Sequence, residues 1–157
     1  MRYESGVEYK GSWKKDLYHG NGTITYKRGM IRSYMGEWQN GKRHGTGILQ
    51  MFNDDVFDGH FRDNYVSKTP SPVIIESLTE AQMHGSGTYT WKNGTALKSK
   101  WNKGIVQPNT ECVLSIPSKA NPTKKKQIPG TYLDGRVVST KYPPLHIPQL
   151  PSLDLLQ

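Results

Sequence analysis

Three short runs of the type aromatic-x-Gly-x-aromatic recur along the chain, and each is followed by a His-Gly-x-Gly run. The aromatic runs occupy residues 9–13, 34–38 and 57–61, and the His-Gly-x-Gly runs occupy residues 19–22, 44–47 and 84–87. The second aromatics of successive runs, Trp13, Trp38 and Phe61, are 25 and 23 residues apart. Self-similarity at a nearly fixed period is typical of proteins in which each unit packs only against its neighbours. The pattern therefore predicts a repeat architecture.

Side chains alternate within each run, with the two-residue period of a strand that buries one face. In the first run Tyr9, Gly11 and Trp13 share one face, while Lys10 and Ser12 share the other. The strands that contain the His-Gly-x-Gly runs also place two glycines on a single face. Glycine leaves room for a ring from the neighbouring strand to lie flat on the backbone, where an alanine methyl would clash. We therefore predict that rings and glycines pack together.

Turn residues separate these strands. Asn40-Gly41 and Asn93-Gly94 are strong hairpin signals, because both central positions of the favoured two-residue turn need a left-handed backbone. Counting strands between the turn signals gives about seven, arranged as an antiparallel meander.

The motifs at residues 9–13, 34–38, 19–22 and 44–47 resemble the MORN-repeat family, which is built on Tyr-x-Gly-x-Trp followed by His-Gly-x-Gly. The resemblance covers residues 1–104. It implies an all-β fold, an elongated and twisted single antiparallel sheet of hairpins with a concave aromatic face. It also implies a protein without catalytic activity of its own.

The chain departs from the repeat pattern at three places. Phe61 and His84 are 23 residues apart where the first two repeats have 6, which places an insertion at residues 67–83, with one helical turn predicted at 77–83. The fourth run, at 97–101, lacks the glycine and has no His-Gly-x-Gly after it, so we predict that residues 98–101 form the closing edge strand. Residues 1–4 look like half of a hairpin.

Composition changes after Gly104. Eight of the ten prolines lie beyond this residue, and proline interrupts helices and central strands. We therefore divide the chain into a repeat sheet, residues 1–104, and an extended Pro-rich tail, residues 105–157. The apolar, proline-rich end from Tyr142 is expected to lie in grooves on partner proteins.

Two sets of residues are candidates for partner binding. One is the aromatic set, whose rings either pack inside the sheet or contact a partner directly: Tyr9, Trp13, Tyr34, Trp38, Phe57, Phe61 and Trp101. The other is the run Lys124, Lys125 and Lys126. With a net charge of +8, this run favours acidic partners such as anionic lipid. No recognisable DNA or RNA module is present, so nucleic acid is not an expected partner.

Nothing in the sequence predicts a catalytic, cofactor or metal site. His19, His44 and His84 recur once per repeat without a carboxylate or cysteine at ligand spacing, which indicates a structural role. The single cysteine suits a reducing compartment, and no apolar stretch reaches the roughly 20 residues of a membrane span. We therefore expect a cytoplasmic location.

The function predicted from these features is a non-enzymatic assembly scaffold. The resemblance to small MORN proteins implies a subunit of a cytoskeletal complex, such as the radial spoke of a ciliary or flagellar axoneme. Two alternatives stay open: a peripheral membrane module that binds anionic phospholipids, and a regulatory subunit of a lipid kinase or methyltransferase complex.

Overall fold

A computed structural model describes residues 6–62 and 83–150, and these residues form one sheet of twelve strands. The strands are Glu8–Lys14 (β1), Leu17–Thr25 (β2), Ile31–Gln39 (β3), Lys42–Met51 (β4), Val56–Phe61 (β5), Met83–Thr90 (β6), Ala96–Asn102 (β7), Ile105–Val106 (β8), Thr110–Pro117 (β9), Lys125–Leu133 (β10), Arg136–Val138 (β11) and Leu145–His146 (β12). All neighbours are antiparallel, in the order β1 to β7 followed by β9 to β12, with β8 paired to β7. The predicted all-β, single-sheet fold is confirmed.

The first seven strands form the predicted meander. Gln39 pairs with Lys42 across the two-residue loop Asn40-Gly41, and both loop residues have a left-handed backbone, with φ of 51° and 79°. The hairpin predicted at this position is therefore confirmed.

Register across the strands aligns the repeated residues into continuous rows. One row consists of glycines that face one another across β1 to β6: Gly11, Gly22, Gly36, Gly47, Gly59 and Gly87. Ser99 continues this row in β7. A second row, two residues away, is buried throughout: Tyr9, Ile24, Tyr34, Leu49, Phe57, Tyr89, Leu97, Leu114 and Ile128. The core thus lies on one face of the sheet, as the alternation within the runs predicts, and Leu114 and Ile128 of the tail extend it beyond the predicted residues.

The strand at residues 98–101 is not the closing edge, and that prediction was wrong. β7 pairs with β6 on one side and with β8 and β9 on the other. The segment after Gly104 is extended, as predicted, but its described part adds five strands to the sheet. Leu114 and Ile128 continue the buried row, so burying them offsets the cost of ordering these strands. A division of the chain at Gly104 stays a prediction, and strand pairing runs across it.

Some predictions concern residues outside the described ranges. These are the half-hairpin at 1–4, the end of the tail at 151–157 and nearly all of the insertion at 67–83 with its helical turn. Met83 alone belongs to the described part of the insertion, and it begins β6.

Candidate functional site: the aromatic face

The first aromatic ring of each repeat lies over a pair of glycines. A methyl group added at Gly47 would meet the Tyr34 ring at 2.6 Å, and one added at Gly36 would meet the Gly47 Cα at 2.6 Å. Tyr9 covers Gly11 and Gly22 in the same way, so the predicted packing of rings on glycines is confirmed. The glycines are needed for space.

The hydroxyl and the ring of Tyr34 each have a polar contact. Its hydroxyl donates to the Glu37 carbonyl at 3.0 Å, and the Arg43 guanidinium lies 5.2 Å from the ring centroid. Burial raises the pKa of Tyr34, and the positive charge of Arg43 opposes this effect only in part. The phenol therefore stays neutral and acts as a hydrogen-bond donor.

The second aromatic of a repeat joins that repeat to the one before. Trp38 Nε1 donates to the Gly22 carbonyl at 3.0 Å, and Trp101 Nε1 donates to the Gly87 carbonyl at 3.1 Å. Phe61 occupies the same position in the third repeat and has no N–H, so it contributes ring packing alone, 4.9 Å from the Tyr34 centroid. We call each contact between a second aromatic and the preceding hairpin a joint. At each joint the ring is buried against that hairpin.

Six of the seven candidate rings are therefore buried by their own chain: Tyr9, Tyr34, Trp38, Phe57, Phe61 and Trp101. Trp13 differs: it lies in β1, the first described strand, and no hairpin of the described residues precedes that strand. It packs edge-on against Tyr9 at 5.1 Å and against Tyr18 at 4.8 Å, and 41% of its surface is exposed. The structure brings the set together as one packed row and leaves its first member accessible.

The other face of the sheet carries the histidines, close to irregularities in strand pairing. Pairing shifts between Gly36 and Glu37, which lies opposite His44. The Glu37 carboxylate accepts hydrogen bonds from the N–H and the hydroxyl of Thr46, at 2.8 and 2.7 Å, and these bonds lower its pKa. Gly45 beside them has φ of 58°, in the left-handed region. His44 thus belongs to a β-bulge, which agrees with a structural role.

Lys125 and Lys126 are exposed at the start of β10, and Lys124, just before the strand, is exposed as well. The Lys126 ammonium lies 4.1 Å from the centroid of the Tyr142 ring. The three side chains form a basic surface far along the strand order from Trp13, the exposed member of the aromatic set.

A buried carboxylate links the turns of successive repeats, and sequence reasoning missed it. Asp55 accepts from the Tyr89 hydroxyl at 2.6 Å, from the Lys92 N–H at 2.8 Å and from the Asn53 side chain at 2.9 Å. It is 7% exposed, whereas its neighbour Asp54 is exposed and bridges to Arg32 at 2.9 Å. The sequence signal was only an acidic turn, since nothing local distinguishes the two aspartates.

The end of the described chain returns to the aromatic face of its own sheet. We call residues 142–150 the strap. Its apolar side chains Tyr142, Leu145, Ile147 and Leu150 are partly buried against the core. Trp91, just after β6, donates from Nε1 to the Gln149 carbonyl at 3.0 Å. This part of the tail was expected in a groove on a partner, and it packs instead against the core of its own chain.

Comparison with protein families agrees with this geometry. The MORN repeat family matches residues 9–31, 34–56 and 80–96, which contain the first two aromatic runs and all three His-Gly-x-Gly runs. The chain is a MORN-repeat protein. MORN repeats are non-catalytic modules that bind proteins or membranes.

A curated relative is similar to part of the chain. Alsin of Rattus norvegicus is 28% identical over 67 residues, which is 41% of this chain and 4% of Alsin. The match thus spans a small part of a much larger protein.

Two further properties of the MORN sheet concern its described residues, 6–62 and 83–150. No group of three or more His, Cys, Asp or Glu side chains in these ranges is arranged to hold a metal ion. Within the same ranges, no helix has the length and apolar character needed to cross a bilayer.

Proposed function

We propose that this MORN protein is a non-catalytic assembly scaffold in the cytoplasm, a subunit of a cytoskeletal complex such as the radial spoke of a ciliary or flagellar axoneme. Support for a scaffold comes from the sheet itself, in which every strand pairs only with its neighbours and the rows of residues serve packing. The cytoskeletal location rests on the resemblance to small MORN proteins.

The scaffold proposal rests mainly on a difference in solvent exposure among the three tryptophans of the repeat motif. Trp38 and Trp101 are 5% and 2% exposed because a preceding hairpin covers each of them. Trp13 is 41% exposed, and tryptophan is among the residues most enriched at the energetic centres of protein interfaces. We infer that a partner protein covers Trp13 as the preceding hairpins cover Trp38 and Trp101.

The test is recovery of partners by tagged chain from ciliated cells, followed by mass spectrometry. Trp13→Ala should reduce recovery of axonemal proteins about tenfold or more, the loss expected for an interface residue of central importance. Met35→Ala is the matched control, since Met35 is 54% exposed and alternation places it on the opposite face of β3. Thermal unfolding of both variants verifies that each is folded. Equal recovery with wild type and Trp13→Ala would count against docking at this end.

Binding to anionic lipid is the second candidate, and the exposed run Lys124, Lys125 and Lys126 favours it. Sedimentation with vesicles containing phosphatidylserine measures this directly. Attraction of exposed lysines to a lipid surface is screened within the physiological salt range, so binding should weaken sharply with added salt and in a variant with all three lysines changed to alanine. Recovery of axonemal proteins should be insensitive to that triple change.

A further inference from the structure

The strap contacts Trp91 through Gln149 and β11 through β12, and we call the surface that it covers there the groove. Trp91 is 6% exposed and Val137 is fully buried, and Leu145 pairs with Val137 in the short β12. β12 thus extends the sheet at its edge, and the apolar residues of the strap are partly buried against the core.

Attachment of the strap is weak compared with that of the strands before it. β9 and β10 share eight residue pairs, whereas β12 shares two with β11. Beyond β12 the strap has a long hydrogen bond from the Ile147 N–H to the Gly135 carbonyl, at 3.4 Å, and the bond from Trp91. A segment with few backbone bonds at the end of a sheet opens locally at much lower cost than the sheet unfolds.

The contacts of the strap indicate which kind of peptide segment could bind the groove in its place. Trp91 needs a main-chain carbonyl as acceptor, which an extended peptide presents because its backbone is not bonded to itself. Leu145 and Ile147 contribute alternate apolar side chains, and Pro144 and Pro148 hold the backbone extended. The groove thus recognises an extended apolar segment with prolines near it, the mode in which aromatic-lined grooves bind proline-rich peptides.

We propose that the strap is a built-in competitor for this groove, and that an extended, proline-containing apolar segment of a partner protein binds there when the strap is displaced. The proposal concerns a different part of the sheet from Trp13 and holds or fails independently of the scaffold function. A tethered segment acts at an effective concentration in the millimolar range, so a free segment of equal intrinsic affinity binds the intact chain poorly.

Fluorescence anisotropy with a labelled peptide of residues 144–150, Pro-Leu-His-Ile-Pro-Gln-Leu, tests the proposal on the full chain. The double variant Leu145→Ser/Ile147→Ser weakens the strap and should bind the peptide at least tenfold more tightly than wild type. Adding Trp91→Phe to that variant keeps a ring but removes the N–H, and should weaken binding about fivefold, the contribution of one hydrogen bond. Met35→Ser, on the opposite face, is the control and should bind as wild type does.

A second variant tests the same point without changing the strap. Lys126→Ala removes the cation over the Tyr142 ring, and the peptide lacks Tyr142, so only the strap loses this contact. Peptide affinity should rise about threefold, as expected for an exposed cation–π pair. Equal affinity of wild type, the double variant and Lys126→Ala, or binding unaffected by Trp91→Phe, would overturn the proposal. Absence of binding to every variant would do the same.

Discussion

Replacing Gly47 by alanine perturbs the contact between ring and backbone on which the repeat depends. The three atoms closest to the added methyl all belong to the Tyr34 side chain, at 2.6 to 2.7 Å. Carbon atoms in contact lie about 3.5–4.0 Å apart, so the ring must move by about 1 Å. Tyr34 is fully buried, and its hydroxyl is bonded to the Glu37 carbonyl at 3.0 Å.

The magnitude follows from three contributions. Overpacking a core position costs about 1–3 kcal/mol. Loss of the hydroxyl bond adds about 1 kcal/mol. The lower entropy of alanine in the unfolded chain offsets about 0.4–1 kcal/mol of this. We expect Gly47→Ala to reduce the free energy of unfolding by about 2 kcal/mol, which lowers Tm by roughly 4–8 °C for a chain of this size.

Denaturant titrations of a double-mutant cycle identify the cause. Tyr34→Leu removes the ring but keeps an apolar side chain like that of Leu49 in the same buried row, so Gly47→Ala should cost almost nothing in that background. Gly36→Ala is the matched control. A methyl there would meet the Thr46 carbonyl oxygen at 2.5 Å, a backbone atom, so its cost should persist when Tyr34 is leucine. If Gly47→Ala costs the same in both backgrounds, the ring is not the reason for the glycine.

Three further predictions concern side chains outside this contact. Asp55→Ala should cost roughly 2–4 kcal/mol in denaturant titrations, because it leaves the Lys92 N–H without its acceptor and the Tyr89 hydroxyl with only the weak Met51 sulfur acceptor, while Asp54→Ala, at an exposed site, should change stability far less. Burial raises the pKa of Cys112 to about 11, so maleimide labelling at pH 8 should be at least about a hundredfold slower in the native than in the unfolded chain, whereas similar rates would contradict its burial. Hydrogen bonds from the neighbouring strand lower the pKa of Glu37 below 4.5, so its contribution to stability is present above pH 4.5 and is lost as the pH falls through the lowered value; Glu37→Gln should flatten the dependence of Tm on pH in that acidic range.

The repeat region was predictable because its local and non-local constraints agree. Alternation places Tyr34, Gly36 and Trp38 on one face, and the register that aligns the glycines also aligns the buried rings. One residue of slip would place the rings on the polar face, so the motif specifies its own pairing. The site was predictable only in part. The sequence identifies the rings, but it does not show that Trp13 differs in exposure from Trp38.

The tail was less predictable, because its prolines were weighed without knowledge of where neighbouring strands end. Pro129 lies within β10 and pairs with Val113 on one side. On the other side β11 reaches only Thr131 to Leu133, so Pro129 is at a local edge, where a missing N–H costs little. The contact between the strap and Trp91 could not be predicted either, because Trp91 and Gln149 are 58 residues apart and no local pattern links them.

Phe61 gives the sheet a mechanical property. The joints at Trp38 and Trp101 each have an indole bonded to a carbonyl, and the joint at Phe61 relies on ring packing without such a bond. Strands that pair only with their neighbours carry a pulling force in series, and a series of links fails at the weakest one. Tension applied across the repeat strands β1 to β7 is therefore expected to separate β4 from β5 first, and to leave a folded piece on either side that can close again when the load is removed.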